Sequence, residues 1–133
     1  MTSTLKPLAL VTGVGPGTGA SVARRFAEGG YRVAMLARNA ERLAALEREI
    51  PDSIAVTCDV TDAAALEQVI AKVGAPKVVV HNAVGGAFGT FQQVEPEVLQ
   101  RNFETNTMAL FHLARLTAPA MIAAGEGAII VTG

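Results

Sequence analysis

Apolar residues along this chain follow two rhythms that alternate from one end to the other. Short, nearly unbroken runs stand at Leu8 to Thr12, Tyr31 to Ala37, Ile54 to Cys58, Lys77 to His81 and Ala128 to Thr132. Runs of this length, bounded by glycine, proline or charge, read as buried strands. Between them the apolar positions fall three and four apart, as on helices. Val22, Ala23, Phe26 and Ala27 share one face of a helix over Ala20 to Ala27, with Arg24, Arg25 and Glu28 opposite, and Gly29-Gly30 stops it. Asn39 is placed to cap a second helix whose stripe is Leu43, Leu46 and Ile50, ended by Pro51. Thr61 or Asp62 caps a third, with Leu66, Val69, Ile70 and Val73 inward and Gly74 closing it. Glu95-Pro96-Glu97 opens a fourth that runs to about Ala124, with Pro119 a candidate kink. A glycine-rich loop, Asn82 to Val94, precedes it, and loops of that length in a compact domain usually line a site.

Strands alternating with helices predict a parallel sheet covered on both faces. Right-handed crossovers, with one reversal after the third strand, give the strand order 3-2-1-4-5, a Rossmann-like, doubly wound α/β fold. Ligands of such sheets bind outside the carboxyl ends of the strands, at the switch between strands 1 and 4. The polar features of the chain gather there: Thr12 to Gly19, Arg38, Asp59 and Asn82.

Composition narrows the partners. The chain has 133 residues, half of them hydrophobic and 17% charged, which describes one globular domain rather than a disordered segment. A net charge of −1 with no basic run argues against nucleic acid or an anionic membrane. No stretch reads as a transmembrane span or signal peptide, so the expected compartment is the cytoplasm. Cys58, the only cysteine, reads as a small core residue. His81 reads as a packed, hydrogen-bonded strand residue rather than a base, and His112 has no second ligand near it for a metal.

The chemistry begins at the glycines. Gly13, Gly15, Gly17 and Gly19 stand between the first strand and the first helix. Such a turn leaves backbone N–H groups free, and the helix dipole adds partial positive charge at the same place, so it suits a phosphate. Two spacings coexist: Gly15 to Ala20 fits GxGxxA, while Thr12-Gly13 with Gly17, Thr18 and Gly19 fits TGxxxGxG.

The second spacing resembles the short-chain dehydrogenase/reductase family, and further motifs extend the likeness. Cys58-Asp59-Val60 matches the family's aspartate after strand 3, which implies that Asp59, beside Val60, hydrogen-bonds the adenine amino group. His81-Asn82-Ala83-Val84 resembles the family's NNAG at Asn82 and Ala83, which implies a place beside the cofactor ribose. The second asparagine of Asn102-Phe103-Glu104-Thr105-Asn106 matches the catalytic asparagine. The lesser alternatives are that Asp59 caps the turn before the third helix and that Asn106 satisfies a neighbouring loop carbonyl. Strand 2 ends Ala37-Arg38-Asn39, offering a guanidinium where NAD sites carry an acid, so the expected cofactor is NADP, with NAD the lesser candidate.

In the family, the serine, tyrosine and lysine of the reaction follow strand 5, whereas this sequence stops at Gly133 and has no Tyr-x-x-x-Lys. The resemblance therefore implies a dinucleotide-binding domain over residues 1–133, truncated relative to the family. Alone it would be inactive, and it would meet a small-molecule substrate only if completed. The alternatives are a non-catalytic dinucleotide-binding module, an inactive product and, last, an S-adenosylmethionine methyltransferase, which favours an acid where Arg38 stands. Met108, Phe111 and Met121 read as core or interface packing, and a homo-oligomer, or an aggregation-prone chain, is expected through strand 128–132, helix 96–124 or both.

Overall fold

A computed structural model of the chain describes residues 5–133; part of the N-terminus examined for a signal peptide lies outside the described residues. Five strands, β1 (Leu8–Thr12), β2 (Arg32–Ala37), β3 (Ser53–Thr57), β4 (Val78–His81) and β5 (Ala128–Val131), form one parallel sheet in the order β3-β2-β1-β4-β5. Connecting them are α1 (Thr18–Glu28), α2 (Ala40–Glu49) and α3 (Ala63–Val73), then α4 (Pro96–Phe103), a π-turn (Glu104–Met108) and α5 (Ala109–Ala124).

The pleat of β1 explains why the sheet has two cores. Leu8 and Leu10 point to one face and join Ala34, Leu36, Val79, Leu66, Val69, Val73, Ala109 and Leu113. Ala9 and Val11 point to the other and join Val33, Met35, Val78, Val80, Ala20, Ala23, Leu43 and Leu46. Each full burial of such a side chain is worth about 1.5–3 kcal/mol, and β1 is buried throughout because it sits between two helix layers. Cys58 lies in the first core, where burial, aided by Asp59 and Asp62, pushes its thiol pKa up. A protonated, buried thiol is inert.

Helix starts follow local chemistry. Asn39 Oδ1 accepts from Arg42 N–H at 3.0 Å, and Asp62 Oδ1 from Ala65 N–H at 3.0 Å. Between the two caps proposed for α3, Asp62 is the one used. Gly74 closes α3 at φ 98°, a conformation that costs glycine nothing.

The long helix departs from expectation in two ways. The sequence pattern predicts one uninterrupted α-helix from Pro96, yet a π-turn divides it, with Ala109 N–H donating to Glu104 O five residues back. Pro96–Ala124 is also a continuous 29-residue helix with an 18-residue window of mean hydropathy 1.3, long and apolar enough to cross a membrane by those measures. That corrects the reading that no stretch reaches such a length. Counting unbroken apolar residues missed it because His112 and Arg115 interrupt the run without making the window polar. Here the helix lies on the sheet through Ala109, Leu113 and Thr117, and leaves Leu99, Phe103, Phe111 and Ile122 exposed. Met121, read as core or interface packing, packs against the core beneath Gly127.

Candidate functional site

The loops at the carboxyl ends of β1 to β4 enclose a cleft of about 550 Å³. Gly13, Val14 and Gly15 form one wall, Arg38, Asn39 and Arg42 a second, and Asp59, Val60 and Thr61 a third. Ala83, Val84, Gly85 and Gly86 face them, with Arg101, Asn102 and Thr105 of the long helix behind.

The glycines divide by role. A Cβ on Gly13 would lie 2.6 Å from the Cα and N of Ala83, and one on Gly19 would strike the carbonyl oxygen of Gly13. These two let β1, the β4 loop and α1 approach one another. Gly15 and Gly17 have open space where a Cβ would stand, and Gly15 borders the cleft. No side chain caps Gly17 at the start of α1, and the first turn carries no acid, so its dipole is uncompensated. Gly17, Thr18 and Gly19 themselves stand outside the cleft lining, one step behind Gly15.

Two of the expected site residues are occupied by the protein. Thr12 is fully buried, and its Oγ1 accepts from Asn82 N–H and Ala83 N–H, both at 3.0 Å. Asn82 donates from Nδ2 to Gly13 O at 3.1 Å and accepts from Thr132 Oγ1 at 2.6 Å. These bonds stitch together the ends of β1, β4 and β5, and neither side chain lines the cleft. Asp59 does line it, while its Oδ1 accepts from Thr61 N–H at 3.0 Å and Thr61 Oγ1–H at 2.7 Å. Those two bonds hold the carboxyl below the usual carboxylate range, and Arg38 nearby adds to the effect. Asn106, in the π-turn, accepts from Gly85 N–H at 2.8 Å and donates to Gly85 O at 3.0 Å. Its amide does satisfy a loop carbonyl, and it thereby fixes one cleft wall.

A family model described as short chain dehydrogenase matches residues 7–133. The chain belongs to the short-chain dehydrogenase family. It is 37% identical over 123 residues to a D-erythrulose reductase of Gallus gallus, an alignment covering 92% of this chain and 50% of that protein. A metagenomic short-chain oxidoreductase solved with NADP superposes with a TM-score of 0.88 at 37% identity, covering 97% of this chain and 63% of the other. A short-chain dehydrogenase of Sphingobium yanoikuyae solved with NADPH gives 0.87 at 34% identity, covering 96% and 53%. The chain spans about half the length of the relatives it matches.

The cleft also holds residues that nothing in the sequence pattern singles out. Arg42, in the first turn of α2, lines the cleft with Arg38, and Arg101 of α4 lines it too. Both look like ordinary solvated helix positions in sequence. Spacing from the Asn39 cap could have found Arg42, since a residue three beyond the cap sits in the exposed first turn. The fitness of the cleft for a dinucleotide rests on Arg38 and Arg42 and on the empty space over Gly15.

His81 gives the chain a titration signature. It is buried, and burial pushes its imidazole below the usual value of 6.5, against the raising effect of backbone groups of Thr105 and Asn106. A base whose folded-state pKa is depressed adds stability that is complete above its unfolded pKa and is lost as pH falls below it. Unfolding free energy should therefore decline as pH drops below 6.5. In His81→Gln that part of the slope should vanish, as denaturant titrations at about pH 7.5 and about pH 5.5 will show.

Proposed function

We propose that the chain forms the NADP(H)-binding part of a short-chain oxidoreductase that moves a hydride between nicotinamide and a carbonyl or alcohol. The observation that carries this reading is the meeting of Arg38, Asn39 and Arg42 with the Gly13–Gly15 turn across one cleft. Guanidinium groups there suit a 2′-phosphate, and the uncompensated N-terminus of α1 suits a pyrophosphate. Asp59 and Val60 are assigned to the adenine end, and Ala83, with Gly85 held by Asn106, to the nicotinamide ribose end. Thr12 and Asn82 are assigned to holding that frame rather than touching the cofactor. Nicotinamide, when bound, supplies the hydride chemistry. Titration calorimetry of the chain with NADPH tests the reading, and the lack of any saturable heat overturns it.

The 133-residue chain is expected to bind without turning over. A general acid must come within about 3 Å of the atom it protonates. The one tyrosine, Tyr31, stands at the opening of β2 with its ring edge-on to Phe26 at 5.1 Å, at the far end of the sheet from the cleft. Purified chain should hold NADPH yet show no steady oxidation of it with carbonyl substrates. Turnover abolished by Asn106→Ala would mean that another acid serves.

We further assign the chain to a homo-oligomer. Support for the assembly comes from Phe103 and Phe111, about half exposed, and Ile122, 78% exposed, along the long helix, and from Ile130 and Val131 on the outer strand β5. Sedimentation at micromolar concentration should show a dimer or larger species, with Phe111→Glu shifting it toward monomer. A wild-type monomer under those conditions rejects the assignment.

A further inference from the structure

At the end of β4 stands a histidine with both ring nitrogens engaged. Thr12 Oγ1 accepts from Asn82 N–H and Ala83 N–H, which fills its two lone pairs. Its own proton is left one partner, His81 Nδ1, at 3.0 Å. Nδ1 is therefore the acceptor, and the ring is neutral with its hydrogen on Nε2. That Nε2–H donates to Thr105 O at 2.9 Å. Thr105 lies in the π-turn, where a widened turn disturbs the match of helical donors to acceptors, and a donor from outside the helix meets one of its carbonyls. The next residue, Asn106, grips both backbone groups of Gly85. Gly85 belongs to the loop that leaves His81, so the contacts close a ring from β4 through the π-turn and back.

We propose that His81 is a positioning residue for the cofactor-facing wall Ala83–Gly86, acting through Thr105 to hold the π-turn where Asn106 reaches Gly85. The proposal rests on the cleft being a nicotinamide-dinucleotide site. A residue that merely filled the space would not need a donor on Nε2 or an acceptor on Nδ1, and the structure uses both.

Two variants separate filling from positioning. His81→Leu keeps bulk and loses the donor, whereas His81→Gln can still offer an N–H toward Thr105. NADPH affinity of the 133-residue chain should fall about tenfold in His81→Leu, the scale of one lost hydrogen bond, and recover largely in His81→Gln. Adding Asn106→Ala to His81→Leu should cost little more than the worse single change, because the two act in series. Nitrogen spectra of the labelled wild-type ring should show a neutral form protonated at Nε2. Wild-type affinity in His81→Leu, fully additive losses, or a ring protonated at Nδ1 would each overturn the proposal. If wild-type chain binds no NADPH, the cofactor reading fails by itself. The Gly85 amide resonance then decides: displaced in His81→Leu and restored in His81→Gln it upholds the ring, unmoved it refutes it. If His81→Leu does not fold, the wild-type ring spectrum and the affinity of His81→Gln against Asn106→Ala carry the test, with a wild-type-like Asn106→Ala counting against it.

Discussion

Gly13→Ala should destabilise this chain by about 3 kcal/mol or more, far beyond what one methyl group usually does. Two costs add at this position. Gly13 sits at φ 65°, where a residue with a Cβ is strained by about 1–2 kcal/mol. The new Cβ would also meet the Cα and N of Ala83 at 2.6 Å and the carbonyl carbon of Asn82 at 2.8 Å. Those are backbone atoms, pinned by the Thr12 and Asn82 hydrogen bonds, and cannot rotate away. Relief would need β1 and β4 to part at the ends where they are bonded together. Gly15→Ala is the control, because nothing lies within 4 Å of its added Cβ. Thermal unfolding should place Gly13→Ala roughly 10 °C or more below wild type and Gly15→Ala close to it. NADPH binding should weaken in Gly15→Ala all the same, since its methyl group enters the space proposed for the cofactor. A Gly13→Ala chain within about 1 kcal/mol of wild type would mean that the turn and the β4 loop yield more easily than their bonding suggests.

How far the sequence reveals this structure depends on whether neighbours along the chain or neighbours in space decide a feature. β1 begins and ends where its run does, because a fully buried central strand admits a polar residue only where partners meet it, as Thr12 does at its carboxyl end. Other boundaries shift by one or two residues: β3 is Ser53–Thr57 rather than Ile54 to Cys58, and α1 begins at Thr18 rather than Ala20. Strand order follows from crossover handedness and needs no side chain at all. The π-turn had no local sign. Glu104 to Met108 is polar and β-branched but contains no glycine or proline, and what favours the wider turn, the His81 donor, comes from β4. Asn82 shows the same limit. Its motif places it at the strand end, while its bonds to Gly13 and Thr132 involve residues remote in sequence. Arg42 and Arg101 were hidden for the opposite reason, since an exposed arginine on a helix is ordinary until the fold turns it toward a cleft.

Those arginines bear on the choice of cofactor, where the second large effect is expected. The chain should bind NADP(H) more tightly than NAD(H) by roughly one to two orders of magnitude, the worth of a charge-assisted bond of about 1.5–3 kcal/mol to the 2′-phosphate. Arg38 follows β2 directly, lines the cleft with Asp59 and adds to the lowering of that carboxyl's pKa. The same proximity draws Arg38 toward Asp59, which competes with a phosphate for it. Arg42, on the same wall, shares the load. Arg38→Ala should therefore reduce the preference without erasing it, and Arg38→Ala with Arg42→Ala should bring the two dissociation constants close together. Arg38→Asp should go further and favour NAD, because a carboxylate repels the phosphate and can accept from a ribose 2′-hydroxyl. Raising salt should weaken NADP binding more than NAD binding, since both arginines are exposed enough for their attraction to be screened. Calorimetric titration with each nucleotide at two ionic strengths measures all of this. Equal affinities in the wild-type chain, or a ratio unmoved by Arg38→Asp, would leave these guanidinium groups as solvated helix-start residues and remove the 2′-phosphate from the site.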